Sequence, residues 1–135
     1  GFGAGDDGDG IVCRGLKAMV PEACVIVGNT VRRCAGSGLV AALVSKVRLV
    51  DNIVEEAGQR GIHLRSTLAS LVSGNHVSRT GLEAPGRYDG IELTQSANGN
   101  TVTSNVCRLG GGMRAGIGVG PGCVDNQVGP NTVLP

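Results

Sequence analysis

Two short runs bring together side-chain types able to move a proton and grip an anion: Gly61-Ile62-His63-Leu64-Arg65 and, one repeat later, Arg87-Tyr88-Asp89-Gly90-Ile91-Glu92. If both Gly-apolar-x-apolar phrases are strands paired in register, His63 and Glu92 are neighbours on the outer face and Arg65 lies beside them. A carboxylate next to an imidazole favours the charged ring and raises its pKa. That helps a proton-transfer group to sit near working pH. The same pair also reads as an ordinary cross-strand polar contact. Arg87, Tyr88 and Asp89 end an irregular stretch over 78–89 (SRTGLEAPGRYD), whose Pro85-Gly86 marks a loop turn. A loop carried on a rigid scaffold is a usual place for function.

The register rests on an internal repeat. Its clearest copy is 47–72, with Leu49-x-x-Asn52-x-Val54 followed by Gly61-Ile62-His63-Leu64. The first phrase recurs as Ile26-x-x-Asn29-x-Val31, Val72-x-x-Asn75-x-Val77, Val102-x-x-Asn105-x-Cys107 and Val128-x-x-Asn131-x-Val133. The second recurs as Gly38-Leu39-Val40-Ala41, Gly90-Ile91-Glu92-Leu93 and Gly116-Ile117-Gly118-Val119. Successive Asn are 23, 23, 30 and 26 residues apart and successive Gly 23, 29 and 26, so two independent markers keep step. The long interval is the insertion within 78–89.

Each copy reads as two short strands and two corners. Alternation within a phrase sends one set of side chains inward, which leaves Val40, His63, Glu92 and Gly118 in one outer column and Ala42, Arg65, Thr94 and Gly120 in the next. Glycine at the corners 38, 61, 90 and 116 is expected to supply positive φ. Asparagine bonds the backbone locally and tolerates left-handed geometry. Stacked at the strand spacing of ~4.8 Å, the asparagines can also form an amide ladder. Clustered Val and Ile, broken every few residues by Gly or Asn, exclude a helical reading. The fold expected is all-β: a single-stranded parallel β-helix, or solenoid, of about five coils in one domain over 1–135. Residues 1–23 form an irregular start and incomplete first coil, and 24–134 the regular coils.

Composition agrees. With 135 residues, 24 Gly, one Tyr, one Phe and no Trp, the core must be layered from small aliphatic side chains, which suits stacked coils. The net charge of +1 and the lack of aromatic platforms argue against nucleic acid as a partner. No run approaches the ~18 apolar residues of a membrane span. Ten Arg against two Lys lean toward acidic ligands or a salt-bridged surface. In the repeat register Arg32 faces Glu55, and Arg33 and Arg79 flank Glu56, as surface pairs of small energetic weight.

Five Cys, at 13, 24, 34, 107 and 123, make an odd count without a C-x-x-C pair. They read as small buried apolar residues with at most one or two disulfides. Asp6-Asp7-Gly8-Asp9 offers oxygen ligands for calcium but lacks the EF-hand spacing, so it reads as an acidic terminus. The Gly110-Gly111-Gly112 and Gly116-x-Gly118-x-Gly120 runs precede no helix and do not read as phosphate loops. His76 is an outward strand residue without a metal-ligand partner. No metal site and no cofactor are expected, calcium being the weak exception.

The Asn100-Val102-Asn105-Cys107 and Asn126-Val128-Asn131-Val133 runs, with Gly-Ile-x-Leu strands between, resemble the right-handed parallel β-helix repeats of the pectate-lyase superfamily over about residues 24–134. The resemblance implies a right-handed coil, an extracellular or cell-surface setting, and an acidic polysaccharide as partner. By the same resemblance His63 is a candidate base, Tyr88 a candidate acid and Glu92 the tuning carboxylate. Arg65 or Arg87 would clamp a uronate carboxylate, with Asp89 beside them in the overhanging loop. The longer motifs of the lyases, epimerases and hydrolases are missing, as are three clustered Asp for calcium-assisted chemistry. The rival reading is a non-catalytic binding or assembly module, such as part of a surface or phage-fibre protein. Its open coil ends would be capped by a homo-oligomeric neighbour or by a larger parent chain, since solenoids need caps.

Overall fold

A computed structural model describes residues 8–15 and 24–135, and every regular element among them is a β-strand. In chain order the strands are β1 (Ile11–Arg14), β2 (Val25–Val27), β3 (Thr30–Arg32), β4 (Leu39–Ala42), β5 (Arg48–Val50), β6 (Ile53–Glu55), β7 (Ile62–Arg65) and β8 (Leu71–Ser73). They continue with β9 (His76–Ser78), β10 (Ile91–Thr94), β11 (Thr101–Thr103), β12 (Val106–Arg108), β13 (Ile117–Val119), β14 (Gln127–Val128) and β15 (Thr132–Leu134). All pairing is parallel, in three five-stranded sheets ordered β1-β4-β7-β10-β13, β2-β5-β8-β11-β14 and β3-β6-β9-β12-β15. Each strand pairs with its equivalent one coil on, so the chain is a parallel β-helix in which four complete turns separate the first and last strand of a sheet.

Each coil has three strands where the repeat pattern suggested two. The apolar-x-x-Asn-x-apolar phrase divides at its centre: Leu49 belongs to β5, Val54 to β6, and Asp51-Asn52 make the bend between them. Both valine-type positions still face inward because the two-residue corner restores the phase. Positive φ at this bend falls on the residue before the asparagine, at Gly28, Asp51, Gly74 and Ser104. The asparagines themselves build the expected ladder. Oδ1 of Asn75 accepts the amide N–H of Asn52 at 2.9 Å and its Nδ2 at 3.0 Å. Oδ1 of Asn105 does the same for Asn75 at 2.9 and 3.0 Å. Asn52, Asn75 and Asn105 are almost wholly buried, so the ladder satisfies groups that would otherwise be costly to hide.

The corner glycines have a different role from the one expected. Gly38, Gly61, Gly90 and Gly116 do not adopt positive φ. They are required by close stacking: a Cβ on Gly38 would overlap a Val54 methyl and lie 2.7 Å from the Gly61 carbonyl oxygen, and one on Gly61 would meet Val77 and the Gly90 oxygen at 2.8 Å. Inside, Leu39, Leu49, Val54, Ile62, Leu64, Val72, Ile91, Leu93 and Val102 are fully buried. The first sheet's strands supply the largest of them, alternating with the outward positions on which the loop lies.

Candidate functional site

The first sheet aligns the predicted columns residue for residue. Val40, His63, Glu92 and Gly118 are consecutive partners, as are Ala42, Arg65 and Thr94. Gly120 lies just past β13, with its amide bonded to the Leu93 carbonyl. The insertion accounts for most of the long interval: β9 and β10 are joined by residues 79–90, where β6 and β7 are joined by 56–61. Its last residues fold back over the outer face, so this face is not the open surface that strand alternation suggests. Val40 is 5% exposed, Glu92 6%, Tyr88 6% and Asp89 1%.

What covers the face is a network of charges. Arg114 grips Asp89 with two parallel bonds, Nε to Oδ1 and Nη2 to Oδ2, both 2.8 Å. This is the fork geometry that makes guanidinium–carboxylate pairs strong. Glu92 accepts from Arg60 Nε at 2.8 Å and from the Asp89 amide at 3.0 Å, and Arg114 Nη2 stands 3.6 Å from its other side. Two guanidiniums lie over the Tyr88 ring, Arg60 at 4.9 Å and Arg87 at 5.3 Å from its centroid, each placed for a cation–π attraction. Glu92, Asp89 and Tyr88 are thus brought together, and Arg87 extends past them into solvent. Arg60 and Arg114, the two residues that organise the cluster, were not singled out from the sequence. The only signal for Arg114 is Gly118: a Cβ there would overlap the Asp89 carboxylate, so the glycine marks where that side chain lies.

His63 and Glu92 are cross-strand partners, but the electrostatics are the reverse of those expected. Glu92 is engaged by Arg60, while burial, then Arg60, then Arg65 push the His63 pKa down to about 3. The ring is therefore neutral over the ordinary pH range, with Nε2 2.7 Å from the Thr94 hydroxyl. Beside it opens a cleft of ≈ 150 Å³ lined by Asp9, Arg14, Ser37, Arg60, His63 and Arg65, among others. Asp9 accepts the Ser37 amide at 2.6 Å. Arg65, half-buried in the cleft wall, forms no ion pair with any described residue, in contrast to Arg60 and Arg114. The cleft thus sets the Arg65 guanidinium and the neutral His63 ring beside Arg60, which is engaged by Glu92, and the Asp9 carboxylate.

Elsewhere the expected surface pairs form: Arg32–Glu55 at 2.8 Å, and Glu56 at 3.3 Å from both Arg33 and Arg79. His76 is exposed on the third sheet, in register with Ile53 and Val106. Asp6 and Asp7 lie outside the described residues. Among the described ones, no group of three or more His, Cys, Asp or Glu is placed to hold a metal ion. No helix long and apolar enough to cross a membrane is present among the described residues.

A family model for right-handed β-helix regions matches residues 5–133. No curated protein and no solved structure matches the chain.

Proposed function

The chain belongs to the right-handed β-helix family, and from that premise we propose that it is a carbohydrate-interacting module whose first sheet receives the carboxylate of an acidic, uronate-containing polysaccharide. The observation that carries the reading is Arg65, a cation without an ion-pair partner among the described residues, set in a cleft with Arg60 and a neutral His63. A planar guanidinium binds a carboxylate at two points, and a shallow cleft on a rigid sheet admits one sugar ring of an extended chain.

Binding fits the geometry better than lyase or epimerase chemistry. A base whose pKa is pushed down to about 3 holds an abstracted proton weakly, far from the match that general base catalysis favours. Tyr88, Glu92 and Asp89 are occupied in holding the loop. The test is calorimetric titration with alginate and polygalacturonate oligosaccharides, with a neutral glucan as control. Saturable binding of the acidic sugars is expected, weakened roughly ten-fold or more by Arg65→Ala, the value of one charge-assisted contact. Equal affinity for the neutral glucan, or no effect of Arg65→Ala, would sink the reading. Ultraviolet absorbance from an unsaturated uronide, lost in His63→Ala, would restore the lyase.

A second reading, a module of a larger or oligomeric assembly, is favoured by the final rung. Val128 and Val133, which continue inward columns, are each 46% exposed, and β13, β14 and β15 are sheet edges. Such edges invite further strands. Sedimentation would separate this reading from the first, because a glycan module can remain monomeric.

A further inference from the structure

We propose that Cys13 and Cys24 form an intrachain disulfide that staples the first rung of the solenoid. Cys13 is in register with Ala41 of β4, on the inward column that Leu64 and Leu93 continue. Cys24 directly precedes β2, and its carbonyl accepts the amide of Arg48. With Val25 opposite Arg48, Cys24 stands opposite Val47. Ala41 and Val47 are both fully buried in the core. The two cysteines therefore flank the same inward corner, between the first and second sheets, one rung earlier. The two thiols are near enough to feel each other: burial and then the neighbouring Cys24 push the Cys13 pKa up.

Both cysteines pack against the core and neither is fully buried, in contrast to Cys107. The other three are placed elsewhere. Cys34 follows β3 and directs its thiol to the Gly36 carbonyl at 3.8 Å, Cys107 is fully buried on β12, and Cys123 precedes β14. The odd cysteine count thus resolves into one bridge and three thiols.

The chemistry is thiol–disulfide exchange with a small disulfide such as oxidised glutathione. One protein thiolate attacks the glutathione S–S bond and releases one glutathione thiolate. The second protein thiolate then attacks the protein sulfur of the mixed disulfide, forms the Cys13–Cys24 bond and releases the second glutathione. Two protein thiols are oxidised and one disulfide is reduced, and the two protons end on the departing glutathiones. The bond closes a loop of about a dozen residues, which restricts the unfolded chain. It acts on β1 and β2, which have a sheet neighbour on one side only among the described strands.

The experiment incubates the folded full chain with oxidised glutathione, blocks remaining thiols by alkylation and digests with trypsin. A peptide linking 1–14 to 18–32 is expected, with an intact mass short of two hydrogen atoms and Cys34, Cys107 and Cys123 recovered alkylated. The oxidised chain should melt about 5 °C or more above the reduced one. In Cys24→Ser, Cys13 should be recovered without a protein bridge. Recovery of Cys13 and Cys24 as alkylated thiols or separate glutathione adducts overturns the proposal, as does a bridge from either to Cys34. A bridge that leaves the melting midpoint unchanged overturns its role as a staple.

Discussion

His63 faces Arg60, Arg65, the Thr94 hydroxyl and its strand partners Val40 and Glu92, and the balance among them keeps it neutral. Its folded pKa of about 3 lies below the ordinary 6.5, so between those values the unfolded chain binds a proton that the folded chain refuses. The associated stability is fully present above about pH 6.5 and is lost progressively as pH falls toward 3. His63→Gln, which cannot titrate, should therefore lose less stability than the parent between pH 7 and pH 4.5, measured as the change in urea midpoint. Parallel losses in both proteins would mean that His63 is not buried as described. The position of His63 was legible in the sequence because its strand repeats. Its charge state was not, because Arg60 comes from the preceding bend and carries no repeat signature.

The inserted loop is held as a single element by the Arg114 fork on Asp89. Asp89 has almost no contact with solvent, whereas the Arg114 side chain is 54% exposed. Removing the arginine therefore strands a buried carboxylate that water can only partly reach. Arg114→Ala should cost about 2 kcal/mol, below the usual range for a broken buried pair because solvent screens one side. Gly118→Ala should act on the same element from beneath, since its new methyl would displace the Asp89 carboxylate. Both variants should make the Arg87–Tyr88 segment susceptible to trypsin while the rest of the chain resists; equal resistance in parent and variants would refute the latch. The loop's existence was readable from the 30-residue interval, and its overhang from its place before Gly90. Its burial of Glu92 was not, because alternation reports which side of a sheet a residue faces and says nothing of what lies on top. The corner glycines were misread for a related reason. Positive φ is a property of one residue, whereas the contact of Gly61 with Val77 and Gly90 joins coils far apart in sequence.

In the whole molecule each coil touches only its neighbours, and the asparagine ladder runs through the stack along one column. Stability should therefore be highest in the middle and lower toward both ends. Asn75→Ala deletes an acceptor for two groups of Asn52 and a donor to Leu49 and Asn105. With each stranded buried group costing about 1–3 kcal/mol, the loss should reach roughly 3 kcal/mol by chemical denaturation. Amide exchange should accelerate first in β5, β8 and β11. Acceleration confined to the terminal strands would contradict nearest-neighbour coupling. The repeat made this architecture readable from spacing alone, including the columns of the first sheet, but not the third strand of each coil, which was hidden inside a six-residue phrase.

Tyr88 has one further consequence. It is the only tyrosine, the chain has no tryptophan, and its ring lies near Arg60 and Arg87, one of which lines the cleft beside His63. Excited at wavelengths where the single phenylalanine does not absorb, the unlabelled protein therefore emits from one ring at one place. Any anion that draws Arg60 away, or any lifting of the loop, changes the surroundings of that ring, so the molecule carries its own optical gauge of cleft occupancy.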